Sequence, residues 1–156
     1  MTSAADKGVE DVIRLGLGAR NWLLAQFEGS DELYSWKPPS GGRSAEEILT
    51  HVAWVVSAAC SQIAEELGLN LKEPKMTEQE GTAARLKAEV SASYDLFTEL
   101  CGNIDENTLK KIVHIPPPSR VPEGTVERVL RIMTGYHVVH HAGQVAMVLS
   151  MAKKAQ

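Results

Sequence analysis

Apolar residues recur along this chain at three- and four-residue intervals, the spacing of one face of an α-helix, in four separate stretches. The first runs from about Asp6 to Glu28, with Val9, Val12, Ile13, Leu17, Leu23, Leu24 and Phe27 on its apolar face. Gly16 and Gly18 weaken it, each by about 1 kcal/mol relative to alanine, but the face is long enough to persist. Residues 30–43 carry Pro38-Pro39 and Gly41-Gly42 and predict a connecting loop without helix. The second helix opens at Ser44, where Glu47 three residues on completes a capping box. It continues through Ile48, Val52, Val55, Ala59, Ile63 and Leu67 to a stop at Gly68. The third follows a loop, with Thr77 and Glu80 as a second capping box. Its face is Ala83, Leu86, Val90, Tyr94, Phe97 and Leu100, and it ends at Gly102-Asn103.

The following stretch includes IVHIPPPSRVPEG, whose prolines forbid a helix and predict an extended crossover, long enough for a compact domain to point to a function. The fourth helix spans about Thr125 to Lys153, with Val126, Leu130, Met133, His137, His141, Val145 and Val148 on one face and Lys153 and Lys154 suiting its C-terminal dipole. No segment alternates in the manner of a strand. The pattern predicts an all-α fold in a single domain, residues 1–156: a four-helix bundle with a long Pro-rich crossover before the last helix.

Composition narrows what such a domain does. At 156 residues, roughly 70% of the unfolded chain's surface can be buried, so one core holds the fold without disulfides or a structural metal. A metal found here would therefore be a working one. The net charge is -4, and no basic run exceeds Lys110-Lys111 or Lys153-Lys154, which argues against nucleic acid or a polybasic membrane patch. No apolar run approaches the 18 or so residues of a membrane span. The N-terminal MTSAADKGVED has no hydrophobic core of a secretory signal, so the expected location is cytoplasmic. Cys60 and Cys101 stand 41 residues apart in apolar-periodic segments, without a CxxC, and read as two buried, reduced thiols.

Three of the five histidines fall within GYHVVHHAGQ. His137 and His141 are i and i+4, so their rings leave the same helix face one turn apart, about 6 Å along the axis. That spacing lets two imidazoles chelate one divalent ion. His51, three residues after Ile48 and four before Val55, is the other histidine on a core-facing stripe and the obvious third ligand. Neutral imidazole suits Zn, Ni, Cu or Fe(II), and three nitrogens leave positions open to water or substrate. The competing reading is that each is a core histidine with a hydrogen-bond partner. Val138 rather than Glu follows His137, so the HExxH general base of zinc peptidases is absent.

RSAEEILTHVAWV leading into the helix-two histidine, the proline-bearing crossover and HVVHHAGQV on the last helix together resemble the DinB/YfiT-like superfamily of metal-binding four-helix bundles. The resemblance reaches from the first helix to Met151. Its most specific piece is H-x-x-H-H-x-G-Q with a single histidine 86 residues upstream. It implies a three-histidine metal site at His51, His137 and His141, with zinc or nickel as the ion. It also implies a metal-dependent reaction on a small molecule, of the thiol-dependent S-transferase or hydrolase type, with a low-molecular-weight thiol as cosubstrate. A homodimer is a further implication. Cys60 lies about 13 Å beyond His51 along a helix, so an attacking thiol would come from that cosubstrate. The alternative is a non-catalytic bundle that binds a ligand or a protein and keeps a structural or vestigial metal.

Around these three, Glu47 lies one turn before His51 and is a candidate base or imidazole partner as well as a cap. Gln144, one turn past His140 and His141, is a candidate for supporting a ligand ring. His140 is read as a flank residue and His114 as a solvent-facing loop residue. Trp54 and Tyr136 adjoin the histidines and, like Trp36, are read first as core packing, with a pocket wall as the other option. Gly143 is read as a point of close helix approach, and Arg128 and Arg131 as solvated.

Overall fold

The computed structural model describes residues 7–115 and 122–156, and among them the protein is mostly helical. The start predicted at Asp6 and the prolines at 116–118 lie outside the described residues. Helix α1 (Lys7–Leu24) buries Val12, Gly16, Ala19 and Leu23. Gly16 is a contact point here: a Cβ there would fall 2.5 Å from the Phe97 ring. The predicted loop after α1 holds one helical turn, α2 (Glu32–Ser35), ahead of its prolines. That turn buries Leu33 and Tyr34, and the Tyr34 hydroxyl bonds the backbone of Glu28.

Helix α3 (Ala45–Leu67) forms as its sequence predicts. Ser44 Oγ accepts the Glu47 amide at 3.2 Å, Glu47 Oε2 accepts the Ser44 amide at 2.8 Å, and Gly68 closes the helix at φ 68°. By length and composition α3 could cross a membrane, yet Leu49, Val52, Val56, Cys60 and Ile63 are fully buried in the protein's own core.

Helix α4 (Thr82–Gly102) departs from expectation at its start. The Thr77–Glu80 capping box does not form, because the chain turns through a positive φ of 89° at Gly81 and the helix begins one residue later. Gly81 has no side chain to cap with. Asp31, 52 residues upstream, does the work: its Oδ1 accepts the Ala83 amide at 3.0 Å.

Beyond α4 the chain is not simply extended. One turn, α5 (Glu106–Leu109), is capped by Asp105, and two short strands, β1 (Ile112–His114) and β2 (Glu123–Thr125), pair antiparallel with Val113 opposite Gly124. Three-residue strands are too short for alternation to register in the sequence. Thr125 then caps α6 (Val126–Leu130). The predicted uninterrupted last helix is broken by a π-helical turn, Arg131–Tyr136, before α7 (His137–Lys154).

Side-chain contacts fix the helix directions. Arg85 at the start of α4 pairs with Glu46 at the start of α3, at 2.5 Å, so these two helices run parallel. Leu15 meets Gly135, and Glu28 meets Lys153 at 3.2 Å, so α1 and α7 also run parallel. Glu106 lies against Gly8, and Asp31 against Ala83, so α1 opposes α4. The chain therefore returns the length of α3, about 34 Å, within residues 69–81. The core between the helices is closed by Tyr94, Phe97, Leu100, Leu130 and Leu149, all fully buried. Cys60 and Cys101 are buried and free, and burial raises both thiols, Cys101 to about 12.

Candidate metal centre

The antiparallel packing of α3 on α7 brings His51 from the second turn of one helix against His137 and His141 from the first turns of the other. Each of the three imidazoles offers one nitrogen within 4.8 Å of the others. Ring centroids are 5.3 Å apart for His51–His137, 5.1 Å for His51–His141 and 4.4 Å for His137–His141, with edge-on planes at 66–84°. The Nε2 atoms of His137 and His141 are 3.0 Å apart.

Protonation follows from the neighbours. Gln144 Oε1, which only accepts, lies 2.6 Å from His141 Nδ1, and its amide nitrogen donates to His140 Nε2 at 3.2 Å. His141 thus carries its proton on Nδ1 and turns the Nε2 lone pair toward His137. Burial, and then the charges that His141, His51 and His140 would carry, push His137 down to about 4. Burial also lowers His141 and His51, with the Arg43 charge acting on both in the same direction. The cluster is therefore neutral at pH 7. Among the described residues, His137 Nδ1 is buried without a partner. Neutral nitrogens converging at ion-chelating separations, one of them with its tautomer fixed, are the donor set that a divalent cation requires. The residues fit such an ion.

An open depression of about 660 Å³ lies beside His51, lined by Glu46, Glu47, Thr50 and Trp54. Trp54 is 59% exposed and is a wall of this depression, not core; Tyr136 is likewise on the surface, at 62%. Glu47 has both oxygens engaged, one by Lys37 at 2.8 Å and one by the Ser44 amide, which together hold its carboxyl below the usual range. Glu46 pairs with Arg85. Gly143 is exposed, and among the described residues no other helix of this chain comes within 4 Å of where its Cβ would stand. His140 is exposed; its ring stands edge-on to that of His141, centroids 5.2 Å apart, and its Nε2 accepts from Gln144.

His114 is remote from this centre. It stands exposed on β1, its Nδ1 3.1 Å from Glu66 and its Nε2 3.3 Å from Glu123, a pairing that raises its pKa and ties the hairpin to the end of α3. Arg128 is exposed, while Arg131 is half-buried against Glu127. Sequence reasoning passed over Arg43, which stands just ahead of the Ser44 cap, outside α3, where helical spacing could not relate it to His51. It also passed over Tyr94 and Thr134, whose hydroxyls act on the helix that carries the histidine pair.

A model of the DinB superfamily matches residues 19–145. Among solved structures, a DinB-like protein from Bacillus cereus superposes with a TM-score of 0.59 at 16% identity, covering 97% of this chain and 95% of that one. A comparison with curated proteins gives no match.

Proposed function

The chain belongs to the DinB superfamily, and from that premise we propose that it is a four-helix bundle binding a divalent metal ion on His51, His137 and His141 and acting on a small molecule. The observation that carries this reading is the fixed tautomer of His141, which leaves its Nε2 lone pair facing the other two imidazoles. Zinc or nickel suits three neutral nitrogens. When bound, the ion would supply Lewis acidity that lowers the pKa of a thiol or water.

The protein's own residues do the rest. Burial keeps the imidazoles neutral and their lone pairs available. Gln144 orients His141, and Trp54 offers an apolar wall beside the site. Both carboxylates that line the depression are ion-paired, Glu47 with Lys37 and Glu46 with Arg85, and neither points a free oxygen at the histidines. That favours transfer of a low-molecular-weight thiol to an electrophile over hydrolysis, because a thiol, with an ordinary pKa of about 8.5, gives up its proton to the ion's charge more readily than water, at about 15.7, when no carboxylate assists. The setting we propose is cytoplasmic, with a homodimer as the working unit.

The same lack of a carboxylate directed at the histidines favours a second reading, in which the loaded site binds a ligand without turning it over. Metal content of untagged protein, measured by mass spectrometry after zinc or nickel reconstitution, decides the first point. One equivalent is expected, and His137→Ala should lose it; a wild-type protein that retains none ends the proposal. Loaded protein is then incubated with thiol and electrophile pairs. Turnover identifies a transferase, and stoichiometric binding of thiol without product identifies the binding protein.

A further inference from the structure

The histidine pair follows directly on a change of helical pitch. In the π-helical turn Arg131–Tyr136, the His137 amide donates to the Ile132 carbonyl, five residues back. A turn of this kind inserts one residue into the ladder. Two buried hydroxyls hold it. Thr134 Oγ1 donates to the Leu130 carbonyl at 2.7 Å, occupying the acceptor that the Thr134 amide would use in an α-helix. From α4, Tyr94 donates its hydroxyl to the Thr134 carbonyl at 2.5 Å. Tyr94 is 0% and Thr134 1% exposed, so water does not compete for either bond. Gly135 completes the arrangement, since a Cβ there would lie 2.9 Å from Leu15 of α1.

We propose that Tyr94 is a positioning residue for the histidine centre: its hydroxyl fixes the π-helical turn, and the turn sets the rotation at which His137 and His141 face His51. An α-helix turns about 100° per residue. Helix α6 is anchored by Val126, Val129 and Leu130, all fully buried, so closing up the extra residue would rotate α7. Both imidazoles would then swing away from the α3 groove together. Tyr94 stands on a helix that carries none of the three histidines, and it acts through backbone alone.

The consequence for metal binding rests on the function proposed above, so the test has one arm with metal and one without. Tyr94→Phe removes only the hydroxyl, and Thr134→Val removes the second bond. Crystal structures of the metal-free variants are expected to show an α-helical ladder through 131–136 and His137 displaced from His51. In the loaded arm, Tyr94→Phe should bind zinc at least tenfold more weakly and alter the visible spectrum of the cobalt-substituted site. Leu100→Ala, a packing loss elsewhere on α4, should lower the melting temperature while leaving affinity and spectrum unchanged. A Tyr94→Phe protein that keeps the π-helical turn and the imidazole positions overturns the inference. If the wild type takes up no metal but the imidazoles move in the variant, the positioning role stands and the metal reading falls.

Discussion

Gln144 accepts the Nδ1 proton of His141 and donates to His140, so one side chain decides which nitrogen of His141 is free. Replacing it with alanine should weaken zinc binding by about 10- to 100-fold, the usual cost of losing such an orienting partner; chelator competition measures it. Glu47 makes the contrast. With one oxygen in the capping box and the other on Lys37, Glu47→Ala should cost about 1 kcal/mol of stability and leave metal affinity unchanged. The histidines also set a pH dependence. His137 is held at about 4 in the folded, metal-free protein, whereas in the unfolded chain it takes its proton near 6.5. Between those values the unfolded state binds more protons, so the stability present above pH 6.5 is lost as pH falls to about 4 and stays level below it. His51 and His141 act in the same direction. Partial exposure screens the effect to about 2 kcal/mol for His137. The unfolding free energy of wild type relative to His137→Asn, measured by urea denaturation from pH 7.5 to 4, should fall by that amount across the window.

At the scale of elements, α4 depends on a residue outside itself. Asp31→Ala should destabilise the protein by about 1 kcal/mol in urea denaturation, while Thr77→Ala should be neutral, because Thr77 lies before the helix start set by Gly81. Equal losses from the two variants would restore the local cap. Asp31 also shows where sequence stops being informative. Ser44 with Glu47 is readable because both partners of that cap sit within one turn, and the His137–His141 pair because i,i+4 spacing fixes a shared face. The Asp31 cap spans 52 residues, and no periodicity carries it. The π-helical turn is hidden for a related reason: the apolar positions around it still fall at helical intervals, while the bonds that change the pitch come from Tyr94 on another helix. Tyr34, read as loop, is core because its hydroxyl finds the Glu28 backbone. That His51 meets the pair follows from α3 and α7 packing antiparallel, which spacing within either helix cannot state.

For the molecule as a whole, the outward face of α7 is the unusual surface. Residues 132–152 contain no Asp, Glu, Lys or Arg, yet Tyr136, Val139, Met147 and Met151 are exposed there, and Trp22 is exposed on the neighbouring α1. Gly143 lies midway along the stripe, where a Cβ would touch nothing, so another helix can approach closely at that point. A twofold axis presents the same patch to itself, and a helix face with a small residue at its centre and larger apolar ones to either side is complementary to its own antiparallel copy. The four exposed side chains of this face give the stripe the apolar centre around which a stable interface of roughly 800 Å² per partner is built. A second copy of the chain is therefore the occupant we propose for this face. Light scattering after size-exclusion chromatography should give a dimer at micromolar concentration. Met147→Glu would place a carboxylate opposite its own symmetry mate or against apolar surface, and should yield monomers with zinc affinity retained, since Met147 lies outside the histidine cluster. A wild-type monomer, or a variant that remains dimeric, would assign the stripe to something other than self-association.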